Sequence, residues 1–109
     1  MRIIDTATVE VQVSYTEPIE DSANLAYTSV YYKTGGVPVA AAKTPVKSVS
    51  GGAAISIPLI VPAPDKAKTT FDFWATATNT LGAESVPSNH ATFVVDREAP
   101  AAPTSFSVA

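Results

Sequence analysis

The alternation of residues 70–78 constrains this chain more than any other feature. Phe71, Phe73, Ala75 and Ala77 interleave with Asp72, Trp74, Thr76 and Thr78, and a period of two puts each set on one side of a pleated strand. Residues 91–95 repeat the alternation. Between the two runs, residues 79–89 carry Asn79, Gly82, Pro87, Ser88 and Asn89, which supply turn conformations and stop either strand from continuing. Residues 70–96 therefore predict a hairpin with a long loop.

The rest of the chain repeats that grammar. Residues 8–15 alternate Val9, Val11, Val13 and Tyr15 with Glu10, Gln12 and Ser14, and Thr16-Glu17-Pro18 ends the run. Residues 27–33 are rich in aromatic and β-branched types, with Thr28, Val30 and Tyr32 on one face and Tyr27, Ser29 and Tyr31 on the other. Gly35-Gly36 makes a turn, and residues 37–42 read as a short edge strand interrupted by Pro38. A polar connection over residues 43–52 leads to a strand at residues 53–61, where Ile55, Ile57 and Leu59 alternate. Pro58 on the opposite register predicts an edge position. Residues 61–66 form a stiff, proline-bearing loop. No stretch has helical periodicity of useful length, so the chain is all-β.

Composition narrows the functions. A chain of 109 residues suffices for one core. A net charge of -3 and a pI near 4.9 argue against a nucleic-acid partner, which needs clustered Lys and Arg. There is no cysteine, which excludes a disulfide framework and thiolate chemistry. Met-Arg-Ile-Ile-Asp-Thr lacks the apolar core of a signal peptide, and no run approaches the roughly 20 apolar residues that span a bilayer. Neither a signal peptide nor membrane insertion is expected.

Sites for chemistry are equally sparse. His90 is the only histidine, at the start of a strand beside Asn89, and reads as a surface residue rather than the centre of a triad. No Gly-rich phosphate loop or metal-spaced His pair occurs. Glu17, Glu20 and Asp21 form an acidic loop, but without the turn-forming Gly of a calcium site they read as a solvated loop. The chain is expected to be no enzyme and to need no cofactor or metal.

The order aromatic-x-aromatic-x-Ala-x-Ala at Phe71 to Ala77, then Asn79-x-x-Gly82-x-x-Ser85, then Pro87-Ser88-Asn89 and an apolar strand, resembles the last two strands of fibronectin type III modules, especially bacterial ones. The resemblance covers about residues 7–96. It implies an antiparallel immunoglobulin-like β-sandwich of about seven strands, with Val30 and Tyr32 inward and Tyr15 where the family has a buried Trp. It also implies a sandwich at residues 1–96 and a Pro-rich tail at residues 97–109. Two departures stand out. Phe71 occupies the tyrosine-corner position, so the loop before it must be held by something other than a phenol. The family's Pro-rich opening strand is missing at residues 1–5, yet residues 99–109 resemble one. The tail is then the start of a following module, a strand that completes the sheet of another subunit through Pro103, Phe106 and Val108, or a strand that folds back.

For function, the resemblance implies a non-catalytic structural or interaction module, such as an accessory or decoration subunit of a virion, in a phage head or tail, or of a similar assembly. The alternative is a spacer or carbohydrate-adhering module excised from a secreted multidomain enzyme or adhesin. Localisation is expected on a virion or an extracellular surface. Tyr27, Tyr31 and Trp74 have outward parity on neighbouring strands and, with Leu81 and Glu84 of the loop, are the expected binding surface. The competing reading of the aromatics is a covered cross-strand cluster. Expected partners are proteins, including the chain itself through its C-terminal strand, or polysaccharide.

Overall fold

The computed structural model describes residues 1–19, 25–48 and 51–109. Among them lie seven strands and no helix: β1 (Arg2–Ile3), β2 (Thr8–Thr16), β3 (Leu25–Lys33), β4 (Val39–Pro45), β5 (Ala54–Pro62), β6 (Lys68–Asn79) and β7 (Ala91–Asp96). They form two antiparallel sheets, one of three strands in the order β1-β2-β5 and one of four in the order β4-β3-β6-β7. Two such sheets packed face to face are consistent with a β-sandwich. No helix among the described residues is long and apolar enough to cross a membrane.

The inward faces follow the period-two reading. Val9 and Val11 of β2, Val30 of β3, Leu59 and Val61 of β5, Phe71 and Phe73 of β6 and Val95 of β7 build the core. Tyr15 packs against it, and its hydroxyl lies 2.7 Å from that of Thr28. That contact lets a phenol pack there without stranding a polar atom. β5 is an edge strand, as Pro58 requires.

Three sequence expectations change. The edge strand expected at residues 37–42 is β4, which begins after Pro38 and continues through Lys43 and Thr44. Pro38 lies just before the strand instead of interrupting it, because proline costs no ladder bond outside the paired segment. Glu17 is not solvated. It is 1% exposed, and its carboxylate accepts the backbone N–H groups of Lys47 at 2.7 Å and Ser48 at 3.2 Å. A buried carboxylate is tolerable only with such donors, so Glu17 ties the end of β2 to the connection between β4 and β5. Glu20 and Asp21 lie outside the described residues. Third, Thr76 and Thr78 have outward parity yet are buried, because the loop after β6 lies against them.

That loop substitutes side chains for a strand. Ser85 and Ser88 donate their backbone N–H groups to the carbonyls of Ala77 and Ala75. Their hydroxyls accept the N–H groups of the same two alanines, at 3.0 and 2.9 Å. The β6 edge is therefore satisfied up to the point where β7 begins, although Pro87 sits between the two serines.

Arg97 holds the loop that precedes Phe71. Its guanidinium donates to the carbonyl of Ala63 at 2.7 Å, its N–H to Ala67 at 2.8 Å, and its carbonyl accepts from Lys66 at 3.1 Å. Arg97 is thus fastened to the body of the sandwich. Beyond it, residues 98–109 are exposed and carry no strand pairing among the described residues.

Candidate functional site

Two surfaces stand out, and the strand order positions both. The first is the outer face of the four-stranded sheet. Tyr31 of β3 is the register partner of Trp74 of β6, and their rings stack at 5.8 Å and 10°. His90, where β7 begins, stacks on the other side of Trp74 at 4.7 Å and 9°. Its Nδ1 lies 2.7 Å from the Asp72 carboxylate. Three rings therefore stand side by side across three strands, and both faces of the indole are occupied. This is the covered cluster rather than an open stacking platform, with each pair contributing about 0.5–1.5 kcal/mol beyond area burial.

Glu84 locks the next position on this face. One of its carboxylate oxygens accepts the Tyr31 hydroxyl at 2.6 Å and the Thr76 hydroxyl at 2.7 Å. The Tyr31 bond, then the Thr76 bond, hold the Glu84 carboxyl below its ordinary value. The same Glu84 bond pushes the Tyr31 phenol up. The pair therefore rests as neutral phenol and ionised carboxylate. Lys43 places its ammonium 4.2 Å from the Tyr27 ring centroid, a cation–π contact. Between them runs an open groove of about 580 Å³, lined by Tyr27, Tyr31, Ala41, Lys43 and Glu84. Of the expected surface, Tyr27, Tyr31 and Glu84 come together here. Trp74 lies beside them in the ring stack, and Leu81 stands apart at the loop tip, 91% exposed.

Sequence reasoning missed Asp72, Thr76 and His90 as members of this face. The outward parity of Asp72 and Thr76 in the 70–78 alternation was visible, but the position of His90 over Trp74 depends on where the loop returns to the sheet. His90 faces an acid and an indole, and no serine or threonine hydroxyl is bonded to its ring among the described residues.

The second surface is an edge. β1 pairs with β2 only at Glu10 and Val9, so beyond Val11 that side of β2 has no strand partner among the described residues. Beside it opens a cleft of about 680 Å³ between the sheets, lined by Val11, Val13, Tyr15, Val30, Phe73 and Phe93. Phe93 faces this space and is 40% exposed. The edges differ in protection. β5 carries Pro58 and Pro62, and β4 carries Lys43 and Pro45, devices that discourage strand addition. Residues 11–16 and 91–95, on either side of the cleft, contain neither Lys nor Pro.

The tail offers the complement. Phe106 and Val108 are each 91% exposed, and Pro103 is exposed with them. The Cα radius of gyration is 18.8 Å, against about 13 Å for a compact domain of this length. The longest dimension is 75 Å, whereas the longest strand, β6, covers about 40 Å. The excess is consistent with a tail projecting from the body. Comparisons with family models, with curated proteins and with solved structures return no match.

Proposed function

We propose that this chain is a non-catalytic interaction module of the fibronectin type III kind, a structural subunit that joins larger assemblies by strand addition. The strand orders β1-β2-β5 and β4-β3-β6-β7 support the fold type, since they reproduce the exchange of strands between sheets that characterises immunoglobulin-like sandwiches. The observation that carries the functional reading is the unprotected side of β2 beyond Val11, which has no strand partner among the described residues, in a chain that also has an exposed apolar tail. An assembly partner such as a virion accessory position, in a phage head or tail, follows by analogy with where similar modules serve. A virion or extracellular surface is the matching location.

The test is solution mass against concentration, by light scattering after size exclusion, for the full chain and a chain ending at Glu98. That boundary retains Arg97 and its bonds to Ala63 and Ala67. Association that vanishes on truncation supports the reading; a full chain that stays monomeric at every concentration overturns self-association.

A second reading, a polysaccharide-adhering module, draws on the groove between Tyr27, Tyr31, Lys43 and Glu84. The stacking of Tyr31 and His90 on Trp74 counts against the indole as a sugar platform. Trp74 fluorescence unchanged across a panel of glycans, together with no glycan retention, would remove this alternative.

A further inference from the structure

We infer that the cleft between β2 and β7 is the acceptor for the C-terminal strand of a second copy, which enters antiparallel to β2 with Val108 opposite Val13 and Phe106 opposite Tyr15. This rests on the assembly reading above and adds the partner, the acceptor and the register.

β1 sets the line and the direction, and the alternation of the tail sets the parity. Arg2 pairs with Glu10 and Ile3 with Val9, so continuing that antiparallel line past Met1 brings successive positions opposite Gln12, Val13, Ser14 and Tyr15. Placing Ala109 opposite Gln12 sets Val108 against Val13 and Phe106 against Tyr15. Residues directly opposite share a face. Val13 and Tyr15 face the core side, so Val108 and Phe106 point into the cleft toward Val30, Phe73 and Phe93. Ser107 falls outward beside Ser14. A shift of one residue would send both apolar side chains to solvent and two small polar ones into the cleft, so the pattern selects this parity.

The direction selects a second copy over the chain's own tail. β7 ends at Asp96, and Arg97 fixes the exit at Ala63 and Ala67, the end of the sandwich where β2 begins. The part of β2 beyond Val11, whose side away from β5 has no strand partner among the described residues, lies toward the other end. The chain's own tail would have to run the length of the sandwich and reverse before it could lie antiparallel to β2. Pro100 and Pro103 favour an extended segment instead. A tail from a neighbouring molecule, stacked end to end with its strands pointing the same way, arrives in the required direction. Each copy then donates at one end and accepts at the other. That contact is heterologous and propagates into an open row unless its rotation closes a ring.

The chain has no native cysteine, which allows a direct test. A Val13→Cys chain is mixed with a Val108→Cys chain under mild oxidation, with Ser14→Cys plus Val108→Cys and Val94→Cys plus Val108→Cys as comparison pairs. Thermal melts confirm that each variant is folded, and light scattering of the full chain runs in parallel. The expected result is a covalent heterodimer mainly from the Val13 and Val108 pair, mass that rises with concentration without stopping at a dimer, and association roughly tenfold or more weaker for Phe106→Ala. Association with no preference for that pair, or with linkage favouring Val94, overturns this acceptor and leaves the assembly reading standing. Absence of both association and linkage in folded protein overturns the two together.

Discussion

Phe71 and Phe93 stand directly opposite one another in the β6–β7 register, yet Phe71 is 0% and Phe93 40% exposed. The same residue type on the same face meets two environments, because Phe71 lies on β6, inside the four-stranded sheet, and Phe93 on the edge strand β7 beside the open cleft. Truncation should separate them. Phe71→Ala is expected to destabilise the fold by about 3–5 kcal/mol through lost burial and a residual cavity. Phe93→Ala is expected to cost only about 1 kcal/mol, since much of its surface is already in water. Urea denaturation of the two variants in the chain ending at Glu98 measures the difference free of association; equal costs would mean that the cleft is closed in solution.

Glu17 sits where polar character suggested solvent, and its burial makes it structural. Glu17→Ala leaves the N–H groups of Lys47 and Ser48 without their acceptor. The expected loss is about 2–3 kcal/mol, with Glu17→Gln losing less because one acceptor oxygen remains. Denaturation midpoints of the two variants test this, and an Ala variant as stable as the parent would refute the clasp.

Glu84 gives stability a pH dependence of known sign. Its folded carboxyl is held below the ordinary 4.5 by Tyr31 and Thr76. The folded state therefore binds protons less readily than the unfolded chain. The contribution is present above the ordinary value and is lost as pH falls through the lowered one. Asp5, lowered first by the Ala7 N–H and then by the Thr8 hydroxyl, acts in the same direction. Tyr31 acts at the alkaline end, where stability is held below pH 10.0 and lost as pH rises through the raised value. Melting temperature followed through the acid range should fall less steeply for Glu84→Gln than for the parent, and superimposable curves would contradict the assignment.

Arg97 fastens the loop before Phe71 to the end of β7. Arg97→Ala breaks the bond to the Ala63 carbonyl and is expected to cost about 1.5–3 kcal/mol. Asp65, at 4.0 Å and half exposed, adds little. Arg97→Lys should recover only part, since an ammonium on a flexible stem does not reproduce the planar fork. Hydrogen exchange at the N–H groups of Lys66 and of residue 97 itself reports the same event locally, and unchanged protection in Arg97→Ala would show that the loop is held by other means.

Where side-chain parity alone decides placement, sequence and structure agree. Val9 and Val11, Leu59, and Phe71 and Phe73 were each assigned to one face of their strand by alternation, and they form the core with Val30, because a pleated backbone leaves each residue only two directions. The turn at Gly35, with φ +88°, was readable for a similarly local reason. Tyr27, Tyr31 and Trp74 were also correctly placed on one outer face. Their mutual coverage was not legible, since it depends on a histidine brought across by a long loop.

The amino-acid sequence by itself determined an all-β chain, which strands carry an apolar face, and the exposed potential of a Pro-rich apolar tail, because these follow from covalent geometry and short-range periodicity. Only the tertiary structure decided that Glu17 is buried, that Arg97 fastens the loop before Phe71, that Glu84 is pinned by Tyr31 and Thr76, and that one side of β2 beyond Val11 has no strand partner among the described residues and borders an open cleft. Each of those depends on contacts between residues far apart in the chain. Their partners are selected by which strands pair and where loops return, quantities that no local pattern encodes.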